Sequence, residues 1–114
     1  MHRVEIERDS GGVAVLTAHG ELDAFAAPDL QAALAEIASS TRIVVDLRAV
    51  SFLDSTALGI VVHAVRELED RGERALVVLP RGSARRIFEI TTLDRALPIA
   101  AGRAQAVATL TSPA

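Results

Sequence analysis

Asp54-Ser55-Thr56 sets two hydroxyls directly behind a carboxylate. Ile43 to Leu47, upstream, is nearly continuous apolar sequence, and the residues that follow carry a helical apolar stripe. Two readings of the triplet stand. Asp54 is a good N-cap, placing Ser55 and Thr56 in the first helical turn, and capping alone accounts for all three residue types. The same geometry also presents a hydroxyl at a helix N-terminus, where unpaired N–H groups and the positive end of the dipole favour a phosphate. Spacing does not choose between them. Glu21 and Asp23 form a second chemical group. Pro28 is suited to a first helical position and starts the following helix near Ala27, so neither carboxylate is needed as its cap. A solvated turn is the simple alternative for the pair. Arg81, Arg85 and Arg86 make a basic cluster that reads as solvated helix surface. His63 lies about two helical turns beyond Ser55, too far along the helix to serve as its base. There is no Gly-rich phosphate loop and no Gly-x-Ser-x-Gly elbow, so nucleotide hydrolysis, dinucleotide binding and a hydrolase triad have no support, and no enzyme is expected.

The elements that would hold these groups follow from periodicity. Val4 to Glu7 alternates and reads as a strand; Gly11-Gly12 turns the chain; Val13 to Ala18 is a second strand, the two making a hairpin. Gly20 to Asp23 reads as a loop. Leu30, Leu34 and Ile37 share one face of a helix ending near Ser39. Ile43 to Leu47 has the pattern of a strand buried on both faces. A long helix runs from about Ser55 to Arg71, stopped by Gly72, with Leu58, Val61, Val62, Val65 and Leu68 inward. Thr56, Ile60, His63 and Glu67 fall opposite, which predicts an exposed Ile60. Ala75 to Leu79 is another buried strand. Ser83 can cap a third helix carrying Ile87, Phe88 and Ile90, Leu97 to Ile99 suggests a short last strand, and Ala104 to Leu110 a final Ala-rich helix. The order ββαβαβα(β)α predicts an α/β fold: a small mixed sheet of four or five strands with about four packed helices, parallel except for the first hairpin. The loops Gly20 to Phe25, Ala49 to Ser55 and Pro80 to Ser83 would then share the rim where open α/β sheets carry their sites.

Composition narrows the rest. At 114 residues, 50% of them apolar, one folded domain spanning 1–114 is expected. The net charge is −3, and all twelve basic residues are Arg. The aromatics are Phe25, Phe52 and Phe88 alone. An acidic chain with so few stacking rings is poorly equipped for direct nucleic-acid binding or an anionic membrane. With no Cys and three scattered histidines, no metal site or cofactor is expected. No apolar run reaches membrane-spanning length and no leader peptide is evident, so a cytoplasmic protein is expected.

Gly20-Glu21-Leu22-Asp23, followed by Phe52-Leu53-Asp54-Ser55-Thr56-Ala57-Leu58-Gly59, resembles the bacterial anti-sigma factor antagonists of the STAS domain family. Arg85-Arg86-Ile87-Phe88-Glu89-Ile90 before Leu93 resembles the family's third helix. The resemblance covers nearly the whole chain and implies a STAS-like fold. It also implies a mechanism. The unphosphorylated antagonist binds an anti-sigma factor that is itself a serine kinase, releasing a sigma factor; phosphorylation ends the binding, and a serine phosphatase restores it. Ser55 matches the acceptor, Asp54 the carboxylate before it, and Asp23 lies in the matching acidic loop. Ala57 stands where many relatives have Gly, which bears on kinase approach. The resemblance, with the exposed face predicted above, makes Glu21, Asp23, Asp54, Ser55, Thr56, Ile60 and His63 the expected partner surface. A non-switching scaffold subunit of a lipid-transport or signalling assembly is the alternative.

Overall fold

The computed structural model describes residues 1–9 and 11–112. Strands β1 (His2–Arg8), β2 (Ala14–Leu22), β3 (Arg42–Leu53), β4 (Arg74–Val78) and β5 (Ile99–Ala100) form one sheet in the order β1-β2-β3-β4-β5. β1 runs antiparallel to β2, and every later pairing is parallel. Helices α1 (Ala27–Ile37), α2 (Ser55–Asp70), α3 (Ser83–Ile90), α4 (Leu93–Ala96) and α5 (Arg103–Thr111) complete the chain. The expected α/β class, mixed sheet and element order hold. The single turn α4 is one helix more than the pattern suggested: at four residues it is too short to show a period.

Two cores follow from the alternation of the strands. Leu16, Ala18, Ile43, Val45, Leu47 and Val77 face one way, against Leu30, Leu34 and Ile37 of α1, Val61, Val65 and Leu68 of α2, and Phe88 of α3. Val13, Val15, Val44 and Val78 face the other way, against Ala106 and Leu110 of α5. Phe88 is fully buried; Ile87 is half-buried and Ile90 exposed. On the side that α5 leaves open, β1 and β2 carry charge: the Glu5 carboxylate accepts from Arg3 Nε at 2.7 Å and lies 3.0 Å from His19 Nε2, while Arg103 donates to Glu7 at 2.9 Å.

Three local expectations are corrected. Gly20 to Leu22 and Ala49 to Leu53 are strand, not loop, because β2 and β3 stay paired past two bulges, where Thr17↔Asp46 gives way to His19↔Ala49 and Gly20↔Val50 to Glu21↔Phe52. Each bulge inserts one unpaired residue in β3 and breaks the two-residue alternation. Buried positions there fall at Leu47, Val50 and Leu53, every third residue, which does not read as a strand. Ser83 does not cap α3: Gly82 holds the N-cap position with φ 64°, and no side chain bonds the first turn. Helix α1 does start at Ala27 with Pro28 in its first turn, as expected.

Candidate functional site

The extended β2–β3 pair carries Ser55 to the rim. Leu22 pairs with Leu53, and the Asp54 amide donates to the Leu22 carbonyl at 3.1 Å, so the chain is held until one residue before the helix. Asp54 then caps α2: its Oδ1 accepts from the Ala57 amide at 2.9 Å, and its carbonyl accepts from the Leu58 amide at 3.0 Å. The capping reading of Asp54 is therefore correct as far as it goes. It leaves Ser55 and Thr56 exposed in the first turn, where their own amides have no partner within the helix. Structure and phosphate chemistry are compatible here, because one carboxylate does the capping and a different side chain offers the hydroxyl.

Asp23 has more local work than the sequence suggested. Its Oδ1 accepts from the amides of Phe25 at 3.0 Å and Ala26 at 3.2 Å, closing the turn that feeds α1. It caps this turn, one step ahead of the helix, whose N-cap Ala26 has no side-chain bond. Glu21 lies on the exposed end of β2, where its carboxylate accepts from the Met1 ammonium at 2.7 Å and raises that group's pKa. Because Leu22 and Leu53 are paired, Glu21 and Asp23 stand beside Asp54 and Ser55 on one rim.

Thr56, Ile60 and His63 occupy a different side of the same helix. With Ser55 they line a groove of about 730 Å³ between α1 and α2, whose other wall includes Gln31, Leu34 and Ala35. Glu21 and Asp23 are not part of that groove, so the seven candidate residues divide into a rim and a groove that meet at Ser55. Ile60 is half-buried and packs on the core instead of standing exposed; the groove wall shields one side of it. Val62, expected inward, is also half-buried. His63 is exposed, 3.2 Å from Glu67 one turn on. Arg81, Arg85 and Arg86 are exposed around the start of α3 and line neither region.

Sequence reasoning missed two residues here. Phe25 is 88% exposed in the turn after Asp23, and Phe52 is 49% exposed beside Glu21 in register. They are two of the three aromatics in the chain, and both sit on the rim with Ser55. The signal that could have found them was scarcity: in a chain whose core is aliphatic, a Phe within a turn sequence is spent on something other than burial. Among the described residues no cluster of His, Asp or Glu could hold a metal ion.

Comparison with known proteins bears on this arrangement. The model of the STAS domain matches residues 5–106. The chain belongs to the STAS domain family. An anti-sigma-B factor antagonist of Listeria monocytogenes is 36% identical over 95 residues, covering 82% of each chain. The anti-sigma-F factor antagonist RsfB of Mycobacterium tuberculosis is 36% identical over 90 residues, 76% of this chain and 72% of that one. The crystal structure of an anti-sigma factor antagonist from Mycobacterium paratuberculosis superposes with TM-score 0.87 at 30% identity, over 98% of this STAS chain and 96% of that one. The phosphorylated form of the Bacillus protein SpoIIAA shares the STAS fold at TM-score 0.74. The resemblance read from the motifs is thus correct at the level of family and fold.

Proposed function

We propose that this STAS chain is an anti-sigma factor antagonist, with Ser55 as its phosphorylation switch. The observation that carries the reading is the exposed Ser55 hydroxyl in the first turn of α2, where the Asp23–Phe25 rim meets the α1–α2 groove. The names of its 36% identical relatives support the same role. In this reading the unphosphorylated protein binds an anti-sigma factor with serine kinase activity in the cytoplasm. It uses the rim (Glu21, Asp23, Asp54, Phe25, Phe52) and the groove side of α2 (Thr56, Ile60, His63). A serine phosphatase reverses the modification, and neither nucleic acid nor membrane is contacted directly.

The electrostatics explain why such a switch leaves the fold alone. A phosphate adds about 1.5 to 2 negative charges at neutral pH. The α2 N-terminus stabilises it, by roughly 0.3–1 kcal/mol at an exposed position. Asp54 opposes it, but both groups stay hydrated at the rim, so the repulsion is screened. Against a closed interface the same charge is desolvated without a partner, which costs several kcal/mol and lowers affinity about a hundredfold or more. Ser55→Ala is therefore expected to bind the kinase constitutively and Ser55→Asp to bind weakly while folded. Mass spectrometry after incubation with kinase and ATP should find the phosphate on Ser55. Phosphate on Thr56 alone would overturn the site, and full-strength binding by the Ser55-phosphorylated protein would overturn the switch.

A further inference from the structure

We infer that the free edge of β1 is a self-association surface, and that its occupant is β1 of a second copy running antiparallel about Glu5. Among the described residues β1 has a single sheet neighbour, β2. The hydrogen bonds flanking their pairing identify which backbone groups face outward. The Glu21 amide donates to the Met1 carbonyl at 3.1 Å and the Asp9 amide to the Val13 carbonyl at 3.0 Å, so odd-numbered positions of β1 form the closely bonded pairs with β2. The N–H and C=O groups of His2, Val4, Ile6 and Arg8 therefore point away from the sheet.

The strand reads His2-Arg3-Val4-Glu5-Ile6-Glu7-Arg8, and it is complementary to its own reverse. Centring two copies on Glu5 pairs Val4 with Ile6 and His2 with Arg8 of the other copy, the positions whose backbone groups face outward. All seven residues are used. On the open face of the sheet, Arg3, already bonded to Glu5 of its own strand, meets Glu7 of the other copy, whose carboxylate Arg103 of that copy also holds at 2.9 Å, twice by symmetry. On the helix face, Arg8 of the second copy stands opposite His2, whose Nε2 is 2.7 Å from Asp29 of α1, and so comes beside that carboxylate. Val4 and Ile6 are only half-buried, and cross-pairing covers what α1 leaves open. The one like-charge contact, Glu5 with its own copy, is offset on each side by Arg3 and His19, already within 3.0 Å or less of that carboxylate.

Helix packing agrees. Helix α1 lies across both β1 and β2. With strands about 4.8 Å apart, two such helices would sit roughly 10 Å from each other, within the usual range for packed helices. Ala33 follows Asp29, which reaches His2 of β1, by one helical turn, so a small side chain stands on that side of α1 and allows the approach. Many edge strands carry charges that prevent pairing; here the order of the charges permits pairing with one partner, the same sequence reversed. β3, which leads to Ser55, lies two strands from this edge, so the surface of the proposed switch is not consumed.

Sedimentation equilibrium over a concentration series into the millimolar range tests the idea. The expected result is a reversible monomer–dimer equilibrium with a limiting mass of twice 12.0 kDa. Arg3→Glu and Glu7→Arg each turn both cross-strand ion pairs into repulsions, so each should weaken association by about tenfold or more; the double exchange restores opposite charges and should recover it. Circular dichroism checks the fold of each variant. Hydrogen exchange of the unaltered protein needs no variant: the amides of Val4 and Ile6 should gain protection as concentration rises. A mass that stays monomeric throughout, a dimer indifferent to both single exchanges, or Val4 and Ile6 amides indifferent to concentration would overturn the inference.

Discussion

Asp54→Ala and Asp54→Asn separate a cap from a charge. Asp54 Oδ1 accepts from the Ala57 amide at 2.9 Å, and the half-buried carboxylate also sits at the positive end of a 16-residue helix. Alanine removes both effects. Loss of a capping side chain costs about 1 kcal/mol and loss of the favourable charge roughly 0.3–1 kcal/mol more, so about 1.5 kcal/mol is expected. Asparagine keeps an acceptor at the same reach and loses only the charge, an expected cost of about 0.5 kcal/mol. With a urea slope of about 1.3 kcal/mol per molar, the midpoint falls by about 1.2 M for alanine and about 0.4 M for asparagine. Urea titrations followed by circular dichroism measure both. Equal midpoints for the two variants would refute the capping assignment, because asparagine retains the hydrogen bond. The asparagine protein is then the right one for partner binding: with the helix start preserved, any loss of affinity reports the charge beside Ser55.

Gly20→Ala should destabilise the fold by about 1–2 kcal/mol, since Gly20 has φ +80° and a Cβ there would run into the Met1 carbonyl; a shift in thermal midpoint checks it, and an unchanged midpoint would mean that β2 and the N-terminal residue move apart freely at Gly20. Phe25→Ser should leave stability within about 0.5 kcal/mol yet weaken anti-sigma factor binding about tenfold or more, as calorimetry would show; unchanged affinity would remove the rim aromatic from the interface. Ile60→Asp should weaken the same binding and also lower stability, because Ile60 is half-buried; intact affinity in the folded variant would exclude the groove side of α2.

The legible parts of the sequence were those where one period runs undisturbed. Leu58, Val61, Val65 and Leu68 repeat at helical spacing and Val4 and Ile6 at strand spacing, and both elements lie where the pattern puts them. The rim was harder. Two bulges in β3 shift its inward side chains out of phase, so the part of the strand that delivers Ser55, Ala49 to Leu53, reads as a loop although Ile43 to Leu47 reads as strand. Asp23 reads as free because the donors to its carboxylate are backbone amides two and three residues on, in a turn with no sequence period of its own. The start of α2 was readable for the opposite reason: its cap is made by a side chain, Asp54, at the position where capping residues are expected.

Strand order in the sheet is identical to strand order in the chain. Each strand after the first therefore finds its neighbour already made when it leaves a ribosome, and the one edge waiting to be covered is that of the strand made just before. The β1–β2 hairpin needs only a short turn and can form first; β3 and β4 then add to the growing side, each carried back by the helix just translated. β5 contributes two residues and α5 closes over the second core last. Vectorial growth of this kind keeps sequence separations between neighbours small, which favours fast assembly, and leaves β1 as the one edge present from beginning to end.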